Sequence, residues 1–175
     1  MDAQIRVVSL VTLLALAAAG HASGQQYEMF CLPQSQLKLA GVELGADSQQ
    51  VRRTLGRPVR MVRDSGADDG GVYPILRLSY KQLQVDIGRD RVERLATTSS
   101  VPALPSGIRV GMSIEEVGRL LKLANPSQYL RGDTLAPIAC EGGRHDPGLA
   151  GVSFIFGKTA NARRLVQLVL TEYGP

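Results

Sequence analysis

The chain predicts an α+β fold of two tandem repeats, each a short helix followed by an antiparallel β-meander. The two sheets are expected to be joined or side by side, with the helices on one face. Two observations carry this expectation. The stretch Gly41 to Pro58, GVELGADSQQVRRTLGRP, returns 66 residues later as Gly107 to Lys122, GIRVGMSIEEVGRLLK. A fixed-offset echo marks one supersecondary unit used twice. After each copy the apolar residues change to strict alternation, the period of a strand.

The chain begins with an address. Arg6 precedes an apolar run of 13 residues, Val7 to Ala19, and Gly20-His21-Ala22 follows as a small-x-small cleavage pattern. The run is too short to span a membrane, and residues 1–24 read as a secretory signal peptide rather than a buried N-terminal helix. The expected location is the periplasm or the medium. The cleavage region has no cysteine, so no lipid anchor is expected, and no later stretch suggests a membrane span. The remaining expected boundaries are a lead-in over 25–40, repeat 1 over 41–98, a linker over 99–106 and repeat 2 over 107–175.

Within each repeat a short apolar segment (Val42, Leu44; Ile108, Val110) ends at a glycine, the residue that turns at positive φ without steric cost. Asp47 with Gln50, and Ser113 with Glu116, have capping-box spacing. Val51 and Leu55, then Ile114, Val117 and Leu121, recur at helical spacing. Gly56 and Pro58 stop the first helix, and Asn125-Pro126 the second. Helices this short are marginal alone and need a sheet to pack against.

Three strands are predicted after the first helix, over 75–80, 83–87 and 91–97, with turns at Lys81-Gln82 and Gly88-Arg89-Asp90. Leu76 and Leu78, then Val85 and Ile87, share one face and alternate with Arg77, Gln84 and Asp86. Residues 64–71, DSGADDGG, read as a surface loop, since the Asp-x-Asp-x-Asp-Gly order of a calcium loop is absent. Residues 97–106 are a Ser/Thr/Pro-rich connector. In the second half, 137–140 occupies the place of 74–76, and strands follow over 151–156 and 164–173. Val152, Phe154 and Phe156 are assigned to the helix-facing side, together with Val166, Leu168 and Leu170.

Removing Arg6 and Asp2 with the signal peptide leaves 19 basic and 15 acidic residues. Ten Lys or Arg lie between Arg52 and Arg94, with six acidic residues among them. That mixture, with only Tyr73 and Tyr80 as aromatics, predicts a solvated charged face and no nucleic-acid partner. Cys31 and Cys140 are the only cysteines, and in an exported chain an even pair predicts a disulfide. The competing assignment makes Cys140 a nucleophile and His145 its base. One Cys, one His and one Glu lack the paired spacing of structural zinc, so neither metal nor cofactor is expected.

The pattern of Leu44, Gly45, Val51, Leu55, Gly56 and Pro58, repeated in Val110, Gly111, Ser113, Glu116, Val117 and Leu121, resembles a bacterial envelope family. That family is typified by the small lipoprotein of the outer-membrane barrel-assembly machinery. The pattern is also similar to the secreted β-lactamase-inhibitor protein, which carries two tandem copies of a related unit. The resemblance spans most of residues 40–173. It implies a protein-binding module of the cell envelope and carries over no catalytic residue. The chain lacks the lipobox cysteine of the lipoprotein relatives, and its second copy lacks the Gly-x-Pro helix stop.

The expected function is therefore a non-catalytic module of scaffold or inhibitor/immunity type, with another envelope or secreted protein as partner. A small-ligand or envelope-polysaccharide binder is one alternative, and a Cys140–His145 enzyme the other. Strand alternation sends Arg77, Gln84, Ile155, Gln167, Val169 and Tyr173 to the face opposite the helices, and that face is the expected partner surface.

Overall fold

The computed structural model describes residues 31–141, 144–145, 150–158 and 162–172, with only the backbone described at Cys31, 138–141 and 144–145. The expected signal peptide lies outside the described residues. In chain order come β1 (Cys31–Pro33), β2 (Lys38–Leu39), β3 (Val42–Glu43), α1 (Ser48–Leu55), β4 (Arg60–Asp68), β5 (Gly71–Ser79), β6 (Gln84–Gly88) and β7 (Arg91–Thr97). The second half supplies α2 (Ile114–Leu120), β8 (Thr134–Leu135), β9 (Ile138–Glu141), β10 (Arg144–His145), β11 (Gly151–Lys158) and β12 (Arg163–Thr171).

The expected pair of helix-plus-meander repeats is not what forms. One large sheet runs in the order β1-β9-β11-β12-β7-β6-β5-β4, with β8 beside β11 and β10 beside β9, and β2-β3 is a separate small ribbon. Among the described residues the protein is mostly β, with two α-helices only eight and seven residues long. Two features overturn the repeat plan. The first half has four antiparallel strands rather than three, because the stretch expected to loop is a hairpin. Asp68 pairs with Gly71 across a two-residue turn, where the Gly70 N–H donates to Asp68 Oδ1 at 2.9 Å. The second half is not a meander, since β9 lies parallel to β1, β8 and β10 are two-residue pieces, and only β11 and β12 form a long antiparallel pair. The halves fuse through β7 and β12, where Leu95 faces Leu170 and Thr97 faces Leu168.

What does repeat is a corner. The N–H of Gly45 donates to the Val92 carbonyl and the N–H of Val92 to the Ala46 carbonyl, both at 2.8 Å. Gly111, Leu165 and Met112 make the same exchange at the same distances. Both glycines sit at positive φ, +79° and +97°, which reverses the chain into the helix that follows. Asp47 then caps α1 by accepting from the Gln50 N–H at 2.7 Å, without the return bond of a full box. Ser113 and Glu116 close the complete box on α2. Gly56, at φ +75°, ends α1 as expected.

Val51 from α1, with Ile114 and Val117 from α2, joins one apolar cluster with Leu78, Val85, Leu95, Phe154, Leu168 and Leu170. Both helices thus pack on the same face of the sheet. The facing residues agree with the sequence assignment at every position but one. A bulge between Ile155 and Phe156 sets Phe156 opposite Leu165. Leu165 is consequently buried, and Val166, expected in the core, is 43% exposed.

Candidate functional site

The face away from the helices is built in cross-strand rows. Arg77 lies opposite Asp86, Asp86 opposite Arg94, and Arg94 opposite Thr171. In the next row Gln84 faces Ala96, Ala96 faces Val169, and Val169 faces Ser153. Gln167 faces Ile155 one step further along β11–β12. Five of the six residues predicted for a partner surface therefore share one face. Tyr173 lies outside the described residues. Val169 is buried, yet it stands outside the main apolar cluster, so neighbouring side chains on its own face cover it.

Asp86 organises this face. It is 5% exposed, and a carboxylate so placed needs hydrogen-bonding and oppositely charged partners. Arg77 Nε donates to Oδ1 at 3.0 Å, Gln84 Nε2 to the same oxygen at 3.1 Å, and Arg94 Nη1 to Oδ2 at 3.4 Å. Arg77 also reaches Asp64 Oδ2 on β4 at 3.1 Å. The hydrogen bond that Arg77 donates to Asp86, then the charge of that carboxylate, raises the Arg77 pKa and keeps the guanidinium a fixed cation. Arg77 is thus held in place by two carboxylates.

A second cluster lies further along the same hairpins. The Tyr73 hydroxyl donates to Glu93 Oε2 at 3.0 Å, and Arg89 stacks 4.0 Å from the Tyr73 ring centre while pairing with Glu93 and Asp68. Burial, followed by the bond to Glu93, raises the Tyr73 pKa. The ring crosses the strand partner Gly66, where a Cβ would come within 2.8 Å of it.

At the other end of the face, Gln84 and Gln167 meet Ser79, Tyr80, Gln82 and Ser99 around an open cleft. Thr97 stiffens its floor: its hydroxyl donates to the Gln82 carbonyl at 2.6 Å and accepts from the Ser99 N–H at 3.0 Å. The Tyr80 hydroxyl is buried with no hydrogen-bond partner among the described residues. Burial raises its pKa, and the nearby Arg52 charge partly offsets that.

The predicted cysteine chemistry falls where side chains are outside the described part. The backbone shows β1 beside β9, with Cys31 opposite Ile138 and Pro33 opposite Cys140. It also sets His145 opposite Cys140 across β9–β10. Sequence reasoning missed Asp86 and Arg94 as members of the site. Their signal was present in the alternation that exposed Arg77 and Gln84, but it needed the register across two turns.

No protein-family model matches the chain, and no curated protein matches it. Solved structures with a related course of chain do exist. An extracellular protein containing an SCP domain from Bacillus anthracis is 14% identical, with a TM-score of 0.41 over 74% of this chain and 44% of that one. A cysteine-rich secretory protein from Staphylococcus aureus is 9% identical, with a TM-score of 0.49 over 81% and 48%. The uncharacterized protein yfeY from Escherichia coli is 10% identical, with a TM-score of 0.43 over 81% and 99%. The aligned part is thus less than half the length of the first two. Likenesses this distant carry no assignment.

Proposed function

We propose that the chain is an exported, non-catalytic protein-binding module of scaffold or inhibitor type, with another envelope or secreted protein as its partner. Export rests on the apolar run from Val7 to Ala19 and the cleavage pattern after it. The observation that carries the binding role is the Asp86 network. It fixes Arg77, Arg94 and Gln84 in one orientation on the sheet face that neither helix covers. Polar groups ordered before contact lose little entropy on binding, and Arg is enriched at contacts that dominate interfaces.

A photo-crosslinking residue placed in turn at Gln84, Gln167 and Ile155 of the exported protein tests this. Adducts to a discrete envelope protein from these positions, and none from Glu115 on α2, are expected. Adducts confined to the helix side would place the contact elsewhere.

One observation favours a second reading, a small neutral polar ligand in the cleft. The groups that line it, those of Ser79, Gln82, Gln84, Ser99 and Gln167, are mainly amides and hydroxyls. Isothermal titration with neutral oligosaccharides distinguishes it, since a Gln84→Ala change abolishes heat only if the cleft binds.

A further inference from the structure

The ten cations between Arg52 and Arg94 look evenly mixed with acid along the sequence, but folding sorts them. Arg77, Arg89 and Arg94 take up Asp64, Asp68, Asp86 and Glu93, and Arg91 pairs with Glu172. The five at the head of the run, Arg52, Arg53, Arg57, Arg60 and Arg63, are all exposed, as is Lys81 on the turn after β5. None of them has an ion pair or side-chain hydrogen bond among the described residues. Of the acids near them in sequence, Asp64 and Asp68 are held by Arg77 and Arg89, Glu43 by Lys38, and Asp47 caps α1.

The fold draws these five to one corner. Arg52 and Arg53 occupy the last turn of α1, where the helix dipole favours cations. The charge of Arg52 is felt at Tyr80, which follows Ser79, the strand partner of Arg60. Arg63 lies opposite Leu76 on the same strand. Two apolar side chains are set among them, Val59 at 80% and Met61 at 59% exposure.

The strand that carries Arg60 and Arg63 is also the free end of the sheet. β4 is nine residues long, contains no proline and, among the described residues, pairs only with β5. An unpaired edge of this length is a template for another strand. A cationic patch by itself suits any polyanion. A free edge with exposed apolar side chains between guanidinium groups suits an extended peptide, whose backbone pairs with the strand while its carboxylates meet the arginine forks.

We infer that the β4 edge, with Arg57, Arg60 and Arg63, binds an extended acidic segment of a protein by strand addition. This edge adjoins the Asp86 face, since Arg77 pairs with Asp64 on β4, but it presents a strand backbone where that face presents side chains, so the two readings can fail separately.

The test uses the chain from residue 25 onward and a fluorescent nine-residue peptide in which Glu-Glu pairs alternate with Val-Thr pairs, matched to the length of β4 and presenting carboxylates on both faces, because Arg60 and Arg63 project to opposite faces. Binding is expected, weakening steeply as salt rises to roughly 0.5 M, where exposed charges are screened within a few ångströms. Arg60→Glu/Arg63→Glu should lower affinity about tenfold or more. Because both side chains are exposed and unpaired, its melting temperature should match the parent's. Two copies of the peptide, each N-methylated at alternate residues, decide the mode. One of them must lose binding if the backbone pairs with β4. Equal binding by both overturns strand addition. Absence of peptide binding, or binding only to vesicles containing anionic phospholipid or to single-stranded DNA, overturns the peptide assignment. Loss through Arg77→Ala, with Arg60→Glu/Arg63→Glu unaffected, would assign the peptide to the other face.

Discussion

Arg77 closes on Asp86 across β5 and β6, its Nε 3.0 Å from a carboxylate that is 5% exposed. Asp86→Ala removes the one acid that Arg77 and Arg94 share and leaves Gln84 without its acceptor. The half-exposed arginines can turn to water, which limits the loss below that of a fully buried pair. A fall of about 1–3 kcal/mol in unfolding free energy is expected by urea titration. Arg77→Ala alone should cost less, because Arg94 and Gln84 still hold the carboxylate. The reverse order would show that Arg77 contributes through packing.

How much of this was legible in the sequence depends on the range of the interaction. The helix starts were, because Asp47, Ser113 and Glu116 act within one turn, as does the glycine stop at Gly56. The strand over RMVRDSGAD was not. An edge strand exposed on both faces needs no alternation, and only its pairing with β5 makes it a strand. The fusion of the halves through β7 and β12 joins residues some seventy positions apart in sequence, and neither strand advertises the other. The site was half legible for the same reason. Arg77 and Gln84 follow from alternation within a strand, whereas the role of Asp86 follows from what the neighbouring strands set beside it.

The capping box gives a pH signature. Glu116 accepts from the Ser113 N–H at 2.7 Å, and that backbone bond, ahead of the Arg164 and Arg119 charges, lowers its pKa. A carboxylate whose native pKa is depressed stabilises the fold above its unfolded pKa. That contribution is lost as pH falls through the native value. Glu116→Gln should therefore narrow the gap in melting temperature between neutral pH and about pH 3. An unchanged gap would mean that the box does not titrate with folding.

The cysteine pair is expected to form a disulfide. In an exported chain the two cysteines meet oxidising conditions, and their backbones run on adjacent strands, β1 and β9. Closing a loop of this length is worth about 4–5 kcal/mol in the chain-entropy account. Peptide mapping without reductant should yield one linked pair containing Cys31 and Cys140. Two alkylatable thiols in protein isolated from the periplasm would remove the bridge and return attention to Cys140 beside His145.

The bulge in β12 makes opposite demands on two neighbouring residues. Plain alternation from Leu168 and Leu170 assigns Val166 to the core and Leu165 to solvent. The extra residue between the Ile155 and Phe156 pairings exchanges them, leaving Leu165 1% exposed and Val166 43% exposed. Leu165 also anchors the second corner, since its backbone bonds with Gly111 and Met112. A side chain buried there loses its transfer energy and leaves a cavity when truncated. Leu165→Ala is therefore expected to lower stability by about 2–4 kcal/mol, with its corner bonds intact because they involve only the main chain. Val166→Thr keeps β-branching at an exposed strand position and should stay within about 0.5 kcal/mol of the parent. Chemical denaturation of the two variants decides the register. If Val166→Thr proves the more damaging, the alternation is unbroken and the bulge is absent in solution. The Gly111 corner would then have to bond to a different residue of β12.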